Sequence, residues 1–217
     1  MIHPLCHTRR PVTLPCGTGR GVSHDWTHPY PPMPTPRRSP AVATYNQWLV
    51  VAGGRREVFA DDLAAVELLN TDSQQWLSTT PLPVKCSHMT TAIIQDEMYL
   101  LGGTLTQTLA VNLPDIIHSS TSTTTKTWRT LPAPPLERSD SITIHGALLA
   151  VGGRHGNKCS TAIHAYQPAA NIWSKVGDLP CPISHCACTL LCSGGLLVSG
   201  GEDSNGDYTT RIDVALM

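Results

Sequence analysis

Four cysteines, Cys181, Cys186, Cys188 and Cys192, lie within twelve residues of one another, with His185 among them. Thiolate and imidazole are the usual zinc ligands. The spacing argues for a different role. Structural zinc sites usually pair cysteines with two residues between them, on turns, and that spacing is absent here. Cys186, Cys188 and Cys192 instead share parity along one segment, with Leu190 between, and so line one face of a strand as small hydrophobes. No metal or other cofactor is expected. The remaining cysteines are Cys6, Cys16, Cys86 and Cys159. Residues 1–20 contain no apolar stretch that would serve as a secretory leader, so disulfides are not expected either. Ten histidines offer proton transfer near neutral pH. No catalytic Ser-His-Asp arrangement, glycine-rich phosphate loop or paired-carboxylate motif is recognisable. His88 and His185 stand out because they recur at one place in a repeat, where the expected role is hydrogen bonding within the fold.

That repeat is set by glycine. Gly53-Gly54, Gly102-Gly103, Gly152-Gly153 and Gly200-Gly201 follow one another at steps of 49, 50 and 48 residues. Each pair closes a short apolar run: Trp48 to Ala52, Met98 to Leu101, Ala147 to Val151, Leu196 to Ser199. Consecutive rather than alternating apolar residues suit a strand covered on both faces. A doublet of glycine suits a turn where a side chain would collide or φ is positive. The pairs are followed by Trp76, Trp128 and Trp173, then by Leu82-Pro83, Leu131-Pro132 and Leu179-Pro180. Tryptophan fills a wide gap between sheets and brings one N–H to satisfy. Proline ends a ladder and begins a crossing. Fourteen residues before the first glycine of each pair stand Ser39, His88 and Arg138, with His185 one residue further back in the last unit.

These features in register resemble the kelch repeat from about residue 26 to 217. Tyr166, in Ala165-Tyr166-Gln167-Pro168 ahead of Asn171-Ile172-Trp173, gives the cleanest match. Leu69 and Thr121 depart from that tyrosine, and Asn70 and Gln167 replace the aspartate that usually follows it. The resemblance implies an all-β kelch-type β-propeller of about four four-stranded antiparallel blades, either a closed ring or an incomplete, open one. Residues 1–23 are expected to be a disordered tail and 24–217 the propeller. The units run about 38–83, 84–135, 136–182 and 183–217, with a strand near Trp26 completing the last blade. Proline-rich residues 30–40 read as a crossing segment in preference to a polyproline ligand. Leu63 to Leu69 has helical spacing in isolation, but the repeat register predicts a strand over 64–69, with further strands over 109–113, 162–166 and 172–175. Residues 119–125, all serine or threonine, read as a surface excursion that lengthens one link.

The resemblance implies a protein-interaction module, a scaffold or substrate adaptor, in preference to catalysis. Kelch adaptors of ubiquitin ligases carry a BTB domain upstream, which the residues before Trp26 are too few to hold. The alternative is a kelch-fold enzyme such as a copper oxidase or a sugar-acid isomerase. The oxidase would need two histidines with a tyrosine linked to cysteine, and no such set stands out around Tyr99 or Tyr166. A net charge of -1 gives no steering toward nucleic acid, no apolar run spans a bilayer, and a cytoplasmic location is expected.

In kelch propellers partners dock where the loop after each glycine pair meets the segment leading into the next blade. That position maps to Arg55, Arg56, Arg154, His155, Glu202 and Asp203 in the loops, and to Arg37, Arg38, Lys85, His88, Arg138 and His185 in the lead-in segments. Arginines gathered on one rim favour an acidic or phosphorylated peptide, because guanidinium grips carboxylate or phosphate as a fork.

Overall fold

Each repeat folds into one small antiparallel sheet. In the computed structural model the first sheet pairs β1 (Ala41–Tyr45), β2 (Trp48–Ala52), β3 (Val66–Asn70) and β4 (Gln75–Ser78) in chain order. The second pairs β5 (Thr90–Ile94), β6 (Glu97–Leu101), β7 (Thr108–Asn112) and, beyond a short helix α1 (Leu113–Ile117), β8 (Arg129–Leu131). The third holds β9 (Asp140–Ile144), β10 (Ala147–Val151), the two-residue β11 (Arg154–His155), β12 (Lys158–Gln167) and β13 (Ile172–Ile183). The fourth holds β14 (Ala187–Leu190), β15 (Gly195–Ser199) and β16 (Ile212–Leu216). The structure describes residues 30–216 except 58–60, 104, 106–107, 118–126, 134, 136–139, 145–146, 156, 192–194 and 210–211. The tail at 1–23, the strand near Trp26 and the serine-threonine tract lie outside the described residues.

The first strands of the sheets, β1, β5, β9 and β14, stand beside one another in succession. This makes the sheets the blades of an all-β propeller. A separate apolar cluster fills the gap between each consecutive pair of blades. Ala41, Val50, Val66 and Leu68 meet Met98, Leu100 and Leu109 between the first two. Ala92, Tyr99 and Leu101 meet Leu148, Ala150 and Tyr166 between the second and third. Leu149, Val151 and Ile163 meet Leu196 and Val198 between the third and fourth, with Cys186 buried there and Cys188 packed against it. Tryptophans lock these gaps: Trp128 Nε1 donates to Thr80 O at 3.3 Å and Trp173 Nε1 to Pro132 O at 3.1 Å, each reaching back to the preceding blade.

Four local expectations change. The strand expected over 64–69 begins at Val66, and it is a strand because Val66 and Leu68 face the second blade while Glu67 faces the other way. The strand expected to reach Leu113 stops at Asn112, which caps α1 by accepting a bond from Asp115 N at 3.2 Å; Pro114 suits the first turn of that helix. Leu113, Ile116 and Ile117 are buried in the first cluster, and Thr79 Oγ1 donates to Ile116 O at 2.9 Å, so α1 braces the second blade on the first. The outer strands of the third blade, β12 and β13, are both longer than expected. β13 runs through Pro180 and Pro182, which an edge strand tolerates where its N–H groups would face away from the sheet.

Candidate functional site

The doubled glycines end β2, β6, β10 and β15 at the same end of the blades, and there the backbone crowds. A Cβ on Gly103 would lie 2.2 Å from Ser87 O and 2.5 Å from His88, and one on Gly53 would lie 2.5 Å from Cys86 O. Gly54 N donates to Cys86 O and Gly153 N to Ile183 O, both at 2.8 Å. The loops after the glycines therefore lie directly on the lead-in segments. Ser39, His88 and His185, aligned by sequence, share the left-handed conformation, with φ of 50°, 58° and 54°. Each stands two residues ahead of the first strand of its blade. Arg138, their counterpart, lies outside the described residues. A non-glycine residue held at positive φ signals a conformation over-determined by its surroundings. The surroundings here are the preceding buried Ser87 and Ser184, whose hydroxyls lie 2.9 and 3.3 Å from His88 Nδ1 and His185 Nδ1. His88 N also donates to Ser39 O at 2.9 Å, linking consecutive lead-ins.

The charged side chains at this mouth are mostly partnered. Arg55 and Arg38 form a two-way backbone bridge, and the Arg55 guanidinium meets Asp62 at 2.7 Å. Glu202 makes the same kind of bridge with Ser184. Its carboxylate takes Arg154, from the neighbouring blade, at 2.8 Å and stands 3.7 Å from His185 Nδ1. Lys85 lies 3.6 Å from the exposed Asp61. Arg56 is exposed, and His155 is placed by β11 through its backbone. Asp203 folds inward on its own loop, accepting from Asn205 N and Asp207 N. The mouth is thus a mixed field, with Arg55 and Arg154 matched by carboxylates that sequence reasoning did not pair with them.

Arg37 is corrected outright. It is not on the rim: its side chain is 0% exposed and pairs at 2.8 Å with Glu67, itself 5% exposed. Arg37 also donates to Gly53 O, Ala65 O and Thr35 O, while Thr35 Oγ1 donates to Glu67 Oε1. Burial pulls the guanidinium pKa down from its ordinary value, and Glu67 opposes that pull. This residue pins the lead-in to the first blade.

Sequence reasoning missed Cys159, whose Sγ is 3.4 Å from both Ser184 Oγ and Glu202 O. It also missed Tyr208, 88% exposed in the loop after the last glycine pair. Nothing in the repeat register marks either, since the loops after the glycines are where the units differ. Among the described residues no group of three or more His, Cys, Asp and Glu is arranged to hold a metal ion, and no helix is long and apolar enough to cross a membrane.

The comparisons with known proteins agree with this architecture. The model of the KLHDC2/KLHL20/DRC7 Kelch-repeats domain matches residues 22–201. The chain belongs to the kelch-repeat family. It is 28% identical to Kelch-like protein 35 of Mus musculus over 81% of this chain and 29% of that protein. It is 27% identical to Kelch-like protein 36 of Bos taurus over 80% and 28%. The chain thus spans less than a third of the length of these curated relatives. The solved structure of YjhT superposes with a TM-score of 0.68 at 15% identity, over 86% of this chain and 67% of that one, and shares the fold.

Proposed function

We propose that this propeller is a non-catalytic protein-interaction module that binds a protein or peptide partner across the mouth formed by its lead-in segments and post-glycine loops. The observation that carries this reading is the construction of the mouth. Two-way backbone bridges (Arg38 with Arg55, Ser184 with Glu202) and left-handed residues at matched positions fix a broad surface of varied side chains. Such a surface loses little entropy when a partner lies on it. The kelch-like relatives support the same class of role, as scaffolds or substrate adaptors, and a cytoplasmic setting goes with it. Arg38, Arg56 and Lys85, on the first-blade side, are where an acidic stretch of the partner would dock; Arg55 is held there by Asp62, and Arg154 is held by Glu202 between the third and fourth blades.

Selection of random twelve-residue peptides on the immobilised chain tests this. Binders are expected, and Arg56→Glu with Lys85→Glu should weaken most of them about tenfold. No binders, or binders indifferent to these changes and to every other mouth substitution, would overturn it.

A further inference from the structure

A cleft opens between the second and third blades at the end opposite the glycine pairs. Glu97, the first residue of β6, lines it with Tyr99 and Arg129 from the second blade, and Tyr166, Pro168 and Asn171 line it from the third. Its volume is about 200 Å³. A wider depression of about 580 Å³ shares Glu97, Tyr99 and Pro168 with it and adds Ile93, Ile94, Gln95 and Ala169. A polar compartment and a mainly apolar one thus lie side by side.

The polar compartment is built from buried groups in fixed positions. Tyr99 and Tyr166 are 2% and 1% exposed, with ring centroids 6.2 Å apart. Tyr99 OH donates to Glu97 Oε2 and Tyr166 OH to Asn171 Oδ1, both at 2.7 Å. Arg129 donates to Glu97 Oε1. Burial raises the pKa of both tyrosines, and the bond to Glu97 adds to the rise at Tyr99, so both hydroxyls keep their protons. Each proton is committed to a protein acceptor, which leaves each hydroxyl oxygen as an acceptor facing a ligand. Among the described residues neither oxygen accepts a bond and Asn171 Nδ2 donates none. Arg129 keeps further N–H donors beyond the one given to Glu97.

The spare hydrogen-bonding capacity is therefore two acceptor oxygens beside amide and guanidinium donors, in a setting where the Glu97 and Arg129 charges cancel. An anion would gain Arg129 but face Glu97, and a cation the reverse. An apolar group would strip water from the tyrosine oxygens and replace it with nothing. A primary amide carries two N–H donors and one carbonyl acceptor and no charge, which matches the inventory. We propose that this cleft binds the side-chain amide of a glutamine or asparagine in an extended peptide segment, with an aliphatic neighbour of that residue lying over Ile93 and Ile94. Successive side chains of an extended segment suit two adjoining compartments of different polarity. This site lies at the far end of the blades from the mouth and stands independently of the mouth reading.

Four Gly-Ser peptides carrying Leu-Gln-Leu, Leu-Glu-Leu, Leu-Lys-Leu or Leu-Met-Leu at the centre test the assignment against the isotope-labelled whole chain. The glutamine peptide should shift the Glu97, Tyr99 and Asn171 amides and bind about threefold or more tighter than the other three. Tyr99→Phe keeps the ring and removes the hydroxyl. Asn171→Asp keeps the acceptor for Tyr166, removes the amide donor and suits the positive φ of 56° at that position. Each should weaken the glutamine peptide about threefold or more, while Arg56→Glu with Lys85→Glu, at the mouth, should leave it within about twofold. No shift at these amides, equal or tighter binding of the glutamate, lysine or methionine peptide, or indifference to both Tyr99→Phe and Asn171→Asp would overturn it. A glutamine peptide weakened only by the mouth substitutions would sink this site and leave the mouth reading standing. Random-peptide binders that ignore every mouth substitution but lose affinity with Asn171→Asp would do the opposite.

Discussion

Arg154 and Glu202 stand on the loops after the third and fourth glycine pairs, one blade apart, and their charged groups meet at 2.8 Å. Both are largely covered, 16% and 24% exposed, so the pair joins neighbouring blades at the mouth. Glu202 is the hub, because its backbone holds Ser184 and Tyr208 while its carboxylate holds Arg154. Glu202→Gln should lower stability by about 1 kcal/mol, as expected for one partly exposed ion pair. It should also raise amide exchange at Arg154 and His185 with little change in the first blade. Denaturant melts and exchange mass spectrometry measure both, and a uniform rise across all blades would show that the pair is not a local strut.

Arg37 and Glu67 form a more deeply buried pair with a different expected signature. Arg37→Met strands the Glu67 carboxylate inside the first blade, which costs about 3–5 kcal/mol when one partner of a buried pair is removed. Arg37→Met combined with Glu67→Met removes both charges and should recover much of that loss. Chemical melts of the two variants decide it; a double variant no better than the single would place the cost in lost backbone bonds to Gly53 and Ala65 instead.

Glycine positions that look equivalent in sequence are not equivalent in space. Gly200 has φ of 67°, but a Cβ built there would meet nothing within 4 Å, whereas one on Gly103 would meet Ser87 O at 2.2 Å. Gly200→Ala should therefore cost only the conformational strain, about 1–2 kcal/mol. Gly103→Ala should cost clearly more and unsettle the lead-in at His88. Thermal melts give the ordering, and equal costs would contradict the crowding described here.

The Cys86 thiol is fully buried, and burial, with a smaller push from Asp62, raises its pKa from 9.0 to about 12. The group is neutral when folded and ionises first when unfolded. Its contribution to stability is fully present below pH 9 and falls as pH rises toward 12. Iodoacetamide at about pH 8, just under the ordinary thiol pKa, should label the partly exposed Cys159, Cys181 and Cys188 well before Cys86. Early labelling of Cys86 in the native protein would show that the first interblade cluster opens readily.

The blades were legible because their determinants are local and periodic. Apolar runs, glycine doublets and tryptophans each answer to one constraint repeated at one spacing, and the alignment of Ser39, His88 and His185 carried a shared left-handed backbone with it. The departures arise where a unit carries its own solution. Asn112 and Pro114 start a helix where the register asks for strand, and the edge position of β13 lets it continue through two prolines. At the mouth, the sequence shows which residues gather but not how they pair. Arg37 and Arg38 are neighbours of one type, yet one lies under the blade on Glu67 and the other bridges Arg55 at the surface. Asp62 and Glu202, which neutralise Arg55 and Arg154, come from loops whose paths no repeat specifies.

The most direct measurement is hydrogen exchange of the whole chain with and without the tightest peptide from the random selection. Protection is expected at the mouth, around 38–39, 55–56, 88, 185 and 202–208. Protection confined to the opposite turns, at Asn46, Gln95 and Pro168, or to the outer strands β4 and β13, would contradict the assignment of the mouth as the binding surface.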